Sequence, residues 1–179
     1  QPSYPLFDWL ARLEGVELVP YPLVREENFR LDVGEIAARV HGRTRAVLLV
    51  HPNNPTGTFV RRADAEALEA LCAEHGLSLV VDEVFADHLH GALRDDRLPT
   101  FVGRDRVPTF VLSGLSKVLA LPQLKLGWTI VDGPEAAVRD ALARLELIAD
   151  TYLSVSTPVQ RALPDLLAMR DDVQARVGR

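Results

Sequence analysis

Cysteine and lysine are scarce in this chain of 179 residues, and no apolar run is long enough to cross a bilayer. The one cysteine, Cys72, cannot form an internal disulfide, which fits a reducing, cytoplasmic setting. The chain also lacks a basic block and a signal-peptide pattern, and its formal net charge is -5. We therefore expect neither a nucleic-acid partner nor a membrane partner.

Lysine occurs at two positions, Lys117 and Lys125, whereas the other eighteen of the 20 Lys and Arg residues are arginine. Arginine stays protonated, but a desolvated lysine can lose its proton and condense with a carbonyl group. Either lysine is therefore a candidate for forming a Schiff base. The alternative is that the two lysines fall close together by chance on a surface loop.

Helical and strand patterns alternate along the chain, which predicts an α/β fold with a mostly parallel sheet and helices on both of its faces. Apolar runs of the kind typical of buried strands lie at 46–50, 77–81, 108–112 and 128–131. A further short strand is predicted at 16–19. Helices are predicted at 4–13, 32–40, 62–75, 135–150 and 159–177.

Three polar turns follow three of the predicted strands. Their sequences are HPNNPTG at 51–57, DEVFAD at 82–87 and SGLSK at 113–117. Ligands of parallel sheets bind at the carboxyl ends of the strands, so we expect these turns to form a single site.

The three turns, in this order and followed by LPQLKLGW at 121–128, resemble the large domain of the fold-type I pyridoxal-phosphate enzymes, in particular the class I and II aminotransferases. The resemblance extends over essentially the whole chain and implies a three-layer α/β/α fold. Family chains are longer, with a phosphate-binding turn and a ring-stacking aromatic residue upstream and a small C-terminal domain that binds the substrate carboxylate. The resemblance therefore implies an incomplete chain: a partial cofactor-binding domain at 1–150, and at 151–179 a helix leading toward a small domain that is absent.

The resemblance also implies roles for three residues. Lys117 matches the lysine that holds pyridoxal 5'-phosphate as a Schiff base and then moves the substrate proton. Asp82 matches the aspartate that pairs with the pyridine nitrogen and keeps it protonated. Asn54 matches the asparagine that donates to the phenolic oxygen of the cofactor. The structural alternatives are a packing lysine, a helix N-cap and a residue that serves only turn geometry.

The sequence departs from the commoner family pattern at three positions. Phe85 stands where most relatives have a tyrosine that reaches the phenolic oxygen. Gly114 replaces a phosphate-binding serine, for which Ser113, or else Ser116, can substitute. Lys125 stands where an arginine usually binds the phosphate, which keeps the charge but gives up the bidentate geometry.

The neighbouring residues His51, Asn53 and Glu83 are predicted to be structural. The implied activity is the transfer of an amino group between an amino acid and a 2-oxo acid, by a protein that forms a homodimer. A β-elimination lyase acting on carbon–sulfur bonds uses the same scaffold and is one alternative. The other is the non-catalytic sensor domain of a transcription regulator, which the intact HPNNPTG turn disfavours. We expect the 179 residues alone to be inactive.

Overall fold

A computed structural model describes residues 1–89, 91–152 and 154–177. Two short antiparallel strands, β1 (Leu23–Val24) and β2 (Arg30–Leu31), precede a four-stranded sheet. The sheet consists of β3 (Ala46–Val50), β4 (Ser78–Asp82), β5 (Thr109–Gly114) and β6 (Gly127–Asp132), in that spatial order. The first three strands are parallel, and β6 runs antiparallel to β5. The sequence left the direction of β6 open.

The helices are α1 (Leu6–Leu13), α2 (Val33–Ala37), α3 (Arg62–His75), α4 (Leu115–Val118), α5 (Glu135–Thr151), α6 (Thr157–Ala168) and α7 (Arg170–Val177). Helices lie on both sides of the sheet, so the predicted three-layer α/β/α fold is confirmed. In the described part of the chain, no helix combines the length and the apolarity that crossing a bilayer requires.

Two helix ends follow the signals that predicted them. The Asp32 carboxylate accepts a hydrogen bond from the Gly34 N–H at 2.9 Å, which caps the start of α2. At the end of α3, Gly76 adopts a left-handed conformation with φ of 64°. α2 ends at Ala37 and is thus shorter than the predicted helix at 32–40.

The main core lies between α3 and one face of the sheet. Side chains of α3 at helical spacing are fully buried there, namely Ala65, Leu68 and Cys72. Along β4, Leu79 and Val81 are buried, while the residues between and beside them are half-buried. Burial therefore alternates along the strand. The face that α3 covers is buried as predicted, whereas the opposite face is only half-buried.

The predicted strand at 16–19 is wrong. This segment forms no strand, because a strand needs a hydrogen-bonded neighbour and the segment is not paired with any described strand. Val16 and Val19 stay exposed. The segment and the edge strand β3 line a cavity of about 990 Å³, which includes neither Lys117 nor Asp82 in its wall.

The predicted helix at 159–177 is two helices, with Ala168 ending α6 and α7 beginning at Arg170. Both pack against a second buried cluster, which consists of Leu115, Val118, Leu119 and Leu126. The bend at Met169 turns α7 back so that Val173 reaches the same cluster. The division of the chain at residue 150 stays a prediction, and positions 153, 178 and 179 lie outside the described residues.

Candidate active site

The carboxyl ends of β3, β4 and β5 lie level with one another. Asp82 pairs with Val50 on one side and with Leu112 on the other. Two backbone hydrogen bonds continue the ladder beyond these pairs, from the His51 N–H to the Asp82 carbonyl at 2.8 Å and from the Glu83 N–H to the Leu112 carbonyl at 2.9 Å. The three polar turns therefore leave the sheet at a single edge, as the sequence predicts.

Asp82 is the last residue of β4 and is half-buried. Its carboxylate accepts a hydrogen bond from the Val84 N–H at 3.1 Å and forms no ion pair with the residues that the structure describes. Burial raises the pKa of this carboxyl above its ordinary value, more than the hydrogen bond lowers it. A turn rather than a helix follows at 84–87, so Asp82 is not a helix N-cap. A desolvated acid without a cation is suited to pair with a cationic ligand group.

Glu83, the next residue, has a different environment. It is 5% exposed, and its carboxylate accepts hydrogen bonds from the Thr100 hydroxyl and from the Phe101 N–H, both at 2.6 Å. Phe101 belongs to the main core, which lies on the face of the sheet opposite to the Asp82 side chain. The predicted structural role of Glu83 is therefore confirmed, since its hydrogen-bonding capacity is used inside the protein.

Lys117 lies on α4, the single helical turn that follows β5, and is half-buried. Its Nζ lies over the ring of Phe85, 5.2 Å from the ring centroid. The face of an aromatic ring attracts an ammonium group, so this contact holds the amine beside the turn that follows Asp82. The Phe85 ring also meets His88 edge to face, with 5.4 Å between the ring centroids.

The backbone leading into Lys117 passes very close to β6. A Cβ atom at Gly114 would lie 3.0 Å from the Gly127 Cα and 3.0 Å from the Leu126 carbonyl oxygen. The Leu115 N–H then donates to that same carbonyl at 3.0 Å. A side chain at position 114 would require these backbone atoms to shift by a few tenths of an ångström, so glycine favours this close approach at the start of α4.

We expect Gly114→Ala to lower the free energy of unfolding by about 1–3 kcal/mol, because its methyl group meets backbone atoms that cannot rotate away. Urea unfolding followed by the fluorescence of Trp128, which pairs with Ser113 across the two strands, measures the change. Gly42→Ala is the matched control, since a Cβ at Gly42 meets nothing within 4 Å. Equal unfolding midpoints for the two variants would contradict the prediction.

The turn after β3 is closed by its own side chains. The Asn53 amide donates to the Thr56 hydroxyl at 2.9 Å, and the Asn53 carbonyl accepts from the Gly57 N–H at 2.7 Å. His51 is buried, and its ring nitrogens contact the Leu98 carbonyl at 3.0 Å and the Val60 N–H at 3.3 Å. Burial lowers the pKa of His51 to about 4, so the imidazole is neutral at pH 7. The predicted structural roles of His51 and Asn53 are confirmed.

The remaining predicted site residues lie at or near the same edge. Asn54 is half-buried in the turn just described. Lys125 is exposed, with φ of 52°, two residues before the Gly127 that pairs with Gly114. The alternation along β5 places Ser113 on the face of Val111, which α3 covers, whereas Asp82 lies on the opposite face. Their roles toward a cofactor stay predictions.

Two side chains of α7 that the sequence did not single out reach this site. The Gln174 amide donates to the carbonyl oxygens of Val118 at 2.6 Å and Lys117 at 3.4 Å. The Arg170 guanidinium donates to the Asp87 carboxylate, with 2.9 Å between Nε and Oδ2. No local pattern marks these residues, because their partners lie 56 and 83 positions away in the chain.

A family model described as aminotransferase class I and II matches residues 1–178. The chain belongs to this family. Aminotransferases of classes I and II use pyridoxal 5'-phosphate.

Curated aminotransferases and a solved aminotransferase structure show how far the similarity extends. The chain is 33% identical to the arginine–pyruvate transaminase AruH of Pseudomonas aeruginosa, over 98% of this chain and 45% of that protein. It is 28% identical to the glutamate–pyruvate aminotransferase AlaA of Haemophilus influenzae, over 93% of this chain and 41% of that protein. Alanine aminotransferase from Pyrococcus furiosus superposes with a TM-score of 0.80 at 29% identity, covering 99% of this chain and 44% of that one. The chain thus spans less than half the length of each of these aminotransferases.

The chemistry of the site fits the cofactor that aminotransferases use. The Lys117 amine lies over an aromatic ring, and a lysine amine is the group that can condense with an aldehyde. The half-buried Asp82 carboxylate, which has no ion-pair partner among the described residues, could pair with a protonated ring nitrogen. The amide of Asn54 and the ammonium of Lys125 add a hydrogen-bond donor and a positive charge near that edge.

Proposed function

We propose that the complete protein containing this chain is a pyridoxal-phosphate-dependent aminotransferase, which moves an amino group between an amino acid and a 2-oxo acid. One observation carries the proposal. The Lys117 amine lies on the ring of Phe85, in the turn that follows the unpaired carboxylate of Asp82. An amine for the aldehyde and an acid for the ring nitrogen are the two groups that this chemistry needs from its protein.

Each proposed site residue has one task toward the cofactor. Lys117 would bind the aldehyde carbon, and Asp82 would hold a proton on the ring nitrogen. Asn54 would donate a hydrogen bond to the phenolic oxygen, and Lys125 would supply a positive charge for the phosphate. Ser113 lies on the sheet face opposite to Asp82, so its side chain is not given this task. When bound, the cofactor supplies an electron-accepting ring, which makes the proton on the α-carbon of an amino acid acidic enough to leave.

The surroundings of Lys117 suit a second task, the transfer of that proton. A Lys117 amine that is not bound to the cofactor would be able to act as the base at the substrate α-carbon. Its half-buried position, with an aromatic ring on one side, keeps bulk water from competing for the proton. The short backbone path from Gly114 holds the amine close to the sheet edge from which Asp82 projects.

Chemical trapping tests the proposal. The complete protein is loaded with pyridoxal 5'-phosphate, reduced with borohydride and digested, and we expect mass spectrometry to find a pyridoxyl group on Lys117. Incubation with single amino acids should then convert the cofactor to its amine form and release a 2-oxo acid. Release of pyruvate together with ammonia would indicate the lyase instead, and no spectral change with any amino acid would indicate a sensor.

The choice of acceptor, the assembly and the location form a further part of the proposal. The names of AruH and AlaA both contain pyruvate, so pyruvate is the first 2-oxo acid to test as the acceptor.

The family resemblance supports a homodimer, and sedimentation of the complete protein measures its assembly. A cytoplasmic location agrees with the single, buried cysteine and is measured by fractionation of cells.

Phe85 provides a test that does not depend on knowing the substrate. The hydroxyl group introduced by Phe85→Tyr would donate a hydrogen bond to the phenolic oxygen of the cofactor. This bond withdraws electron density from the oxygen, which then stabilises the protonated Lys117 nitrogen beside it less well. We expect the pH at which the absorbance of the bound cofactor changes to be about one pH unit lower in Phe85→Tyr than in the unmodified protein. Phe7→Tyr, a change of the same kind on α1, should leave that pH unaltered. Equal titration midpoints in all three proteins would contradict the proposed placement of Phe85 next to the phenolic oxygen.

A further inference from the structure

The helix that carries Lys117 is too short to hold its own position. α4 has four residues, whereas isolated helices need many more to be stable, because the first turn fixes several residues for a single hydrogen bond. Its start is fixed by the close approach of Gly114 to β6. Its end presents backbone carbonyl groups that have no partner within the helix.

Gln174 of α7 supplies the missing partner. Its amide Nε2 donates to the Val118 carbonyl at 2.6 Å and lies 3.4 Å from the Lys117 carbonyl. A single side chain thus caps the carboxyl end of α4 at the catalytic lysine and the residue after it. This contact restrains the direction in which the Lys117 side chain leaves the backbone.

Arg170 of the same helix restrains the other side of the Lys117–Phe85 contact. Its guanidinium forms two hydrogen bonds to Asp87, a residue whose side chain is only 15% exposed. Asp87 follows Phe85 by two residues in the turn after β4. Because two parallel hydrogen bonds favour one orientation of a guanidinium and a carboxylate, this ion pair links the turn to α7.

Arg170 and Gln174 lie four residues apart, so they project from one face of α7. Between them, Val173 packs on the buried cluster that includes Leu115 and Val118 of α4. One helical face therefore contacts the lysine turn through Gln174 and Val173, and the Phe85 turn through Arg170.

We infer that α7 is a clamp that sets the Lys117 amine against Phe85, with Gln174 and Arg170 as positioning residues. Neither side chain takes part in the chemistry. The consequence for amino-group transfer rests on the proposed function, but the placement of the amine does not, since it can be measured without cofactor.

Competitive labelling of the two lysines measures that placement. The cofactor-free complete protein is treated with a limiting amount of acetic anhydride, and peptide mass spectrometry gives the ratio of label on Lys117 to label on Lys125. The exposed Lys125 is the internal reference. Releasing the clamp frees the half-buried Lys117, so we expect Gln174→Met and Arg170→Met each to raise the ratio roughly fivefold, the equivalent of one hydrogen bond.

Matched controls separate positioning from general loosening. Gln160→Met on α6 removes a similar side-chain bond, from Nε2 to the Val155 carbonyl at 2.7 Å, and Arg144→Met on α5 removes the ion pair with Asp140 at 2.9 Å. Both should leave the ratio unchanged, and Arg170→Lys should restore it in part. If Gln174→Met does not fold, Gln174→Asn, which shortens the side chain by one methylene group, replaces it.

The results decide the inference directly. A ratio that stays at the unmodified value in the α7 variants overturns the clamp, and so does an equal rise in the control variants. A raised ratio together with a shifted absorbance maximum of the bound cofactor supports it. Failure of the proposed function gives a different result. Borohydride would then leave no pyridoxyl group on Lys117 of the unmodified protein, while the labelling ratios of the α7 variants would still differ from the unmodified value.

Discussion

Lys117→Ala is expected to lower the rate of amino-group transfer by at least about 10⁴-fold, because one change removes both the amine that binds the aldehyde and the base at the substrate α-carbon. Arginine at the same position should not restore activity, since a guanidinium keeps its proton and cannot condense with an aldehyde. The two functions can be separated by adding a small external amine, which replaces the base but not the covalent link. We therefore expect ethylamine to recover part of the rate in Lys117→Ala.

The second lysine of the chain serves as the control for this experiment. Lys125→Arg keeps a positive charge at an exposed position, and we expect it to retain the rate of transfer to within about tenfold while changing the affinity for the cofactor. Single-turnover kinetics with the loaded protein separate binding from chemistry. Comparable loss of rate in Lys117→Ala and Lys125→Arg would contradict the assignment of Lys117.

Asp82→Asn should produce the second large effect, a loss of about 10²- to 10³-fold in transfer, because a neutral amide no longer stabilises the positive charge on the ring nitrogen. The same change should stabilise the cofactor-free protein by about 1 kcal/mol, since it removes a half-buried carboxylate that no cationic group in the described part of the chain contacts. Activity and stability thus change in opposite directions, as expected where a site keeps an unfavourable charge for its ligand.

The pH dependence of this stability difference follows from the direction of the pKa change. The folded state holds the Asp82 proton more tightly than the unfolded state, because burial raises its pKa. The contribution of Asp82 to stability therefore falls as the pH rises from its ordinary pKa through the folded value. We expect Asp82→Asn and the unmodified protein to be equally stable below this window and to differ by a constant amount above it. Urea unfolding of both proteins across the acid range measures the difference.

The neighbouring acid provides a matched comparison. Glu83→Gln replaces one of the two carboxylate oxygens that accept hydrogen bonds inside the core with an NH₂ group, which cannot accept. Glutamine therefore cannot accept from both the Thr100 hydroxyl and the Phe101 N–H. We expect a loss of about 1–3 kcal/mol in stability without a change in the electronic properties of the cofactor. A stabilising effect of Glu83→Gln, or a destabilising one of Asp82→Asn, would contradict the roles given to the two acids.

The sequence predicted those elements that depend on local signals. α3 was predictable because its apolar spacing, its length and the glycine at its end agree, and β3 because an apolar run ends in prolines. The segment at 16–19 has a strand-like composition but lacks a described partner, and pairing is not a local property. The break between α6 and α7 was missed for a similar reason, since it follows from packing on α4.

The residues of the candidate site also fall into two groups, those that local sequence motifs predicted and those that only the structure showed. Asp82 and Lys117 were predictable because each follows a strand in a motif with chemical content, and parallel strands bring such turns together. Phe85 was singled out as a departure from the family pattern, but its contact with the lysine amine required the structure. Gln174 and Arg170 could not be predicted, because a glutamine and an arginine on a short, polar helix resemble ordinary surface residues.

The distance along the chain between α7 and its partners sets the order in which the site can form on the ribosome. The four described strands from β3 to β6 have all been synthesised once Asp132 has emerged, whereas Gln174 follows some forty residues later. A nascent chain therefore has its phosphate-facing edge in place before the end of the lysine turn is capped. α7 therefore caps a turn whose reactive lysine was made much earlier.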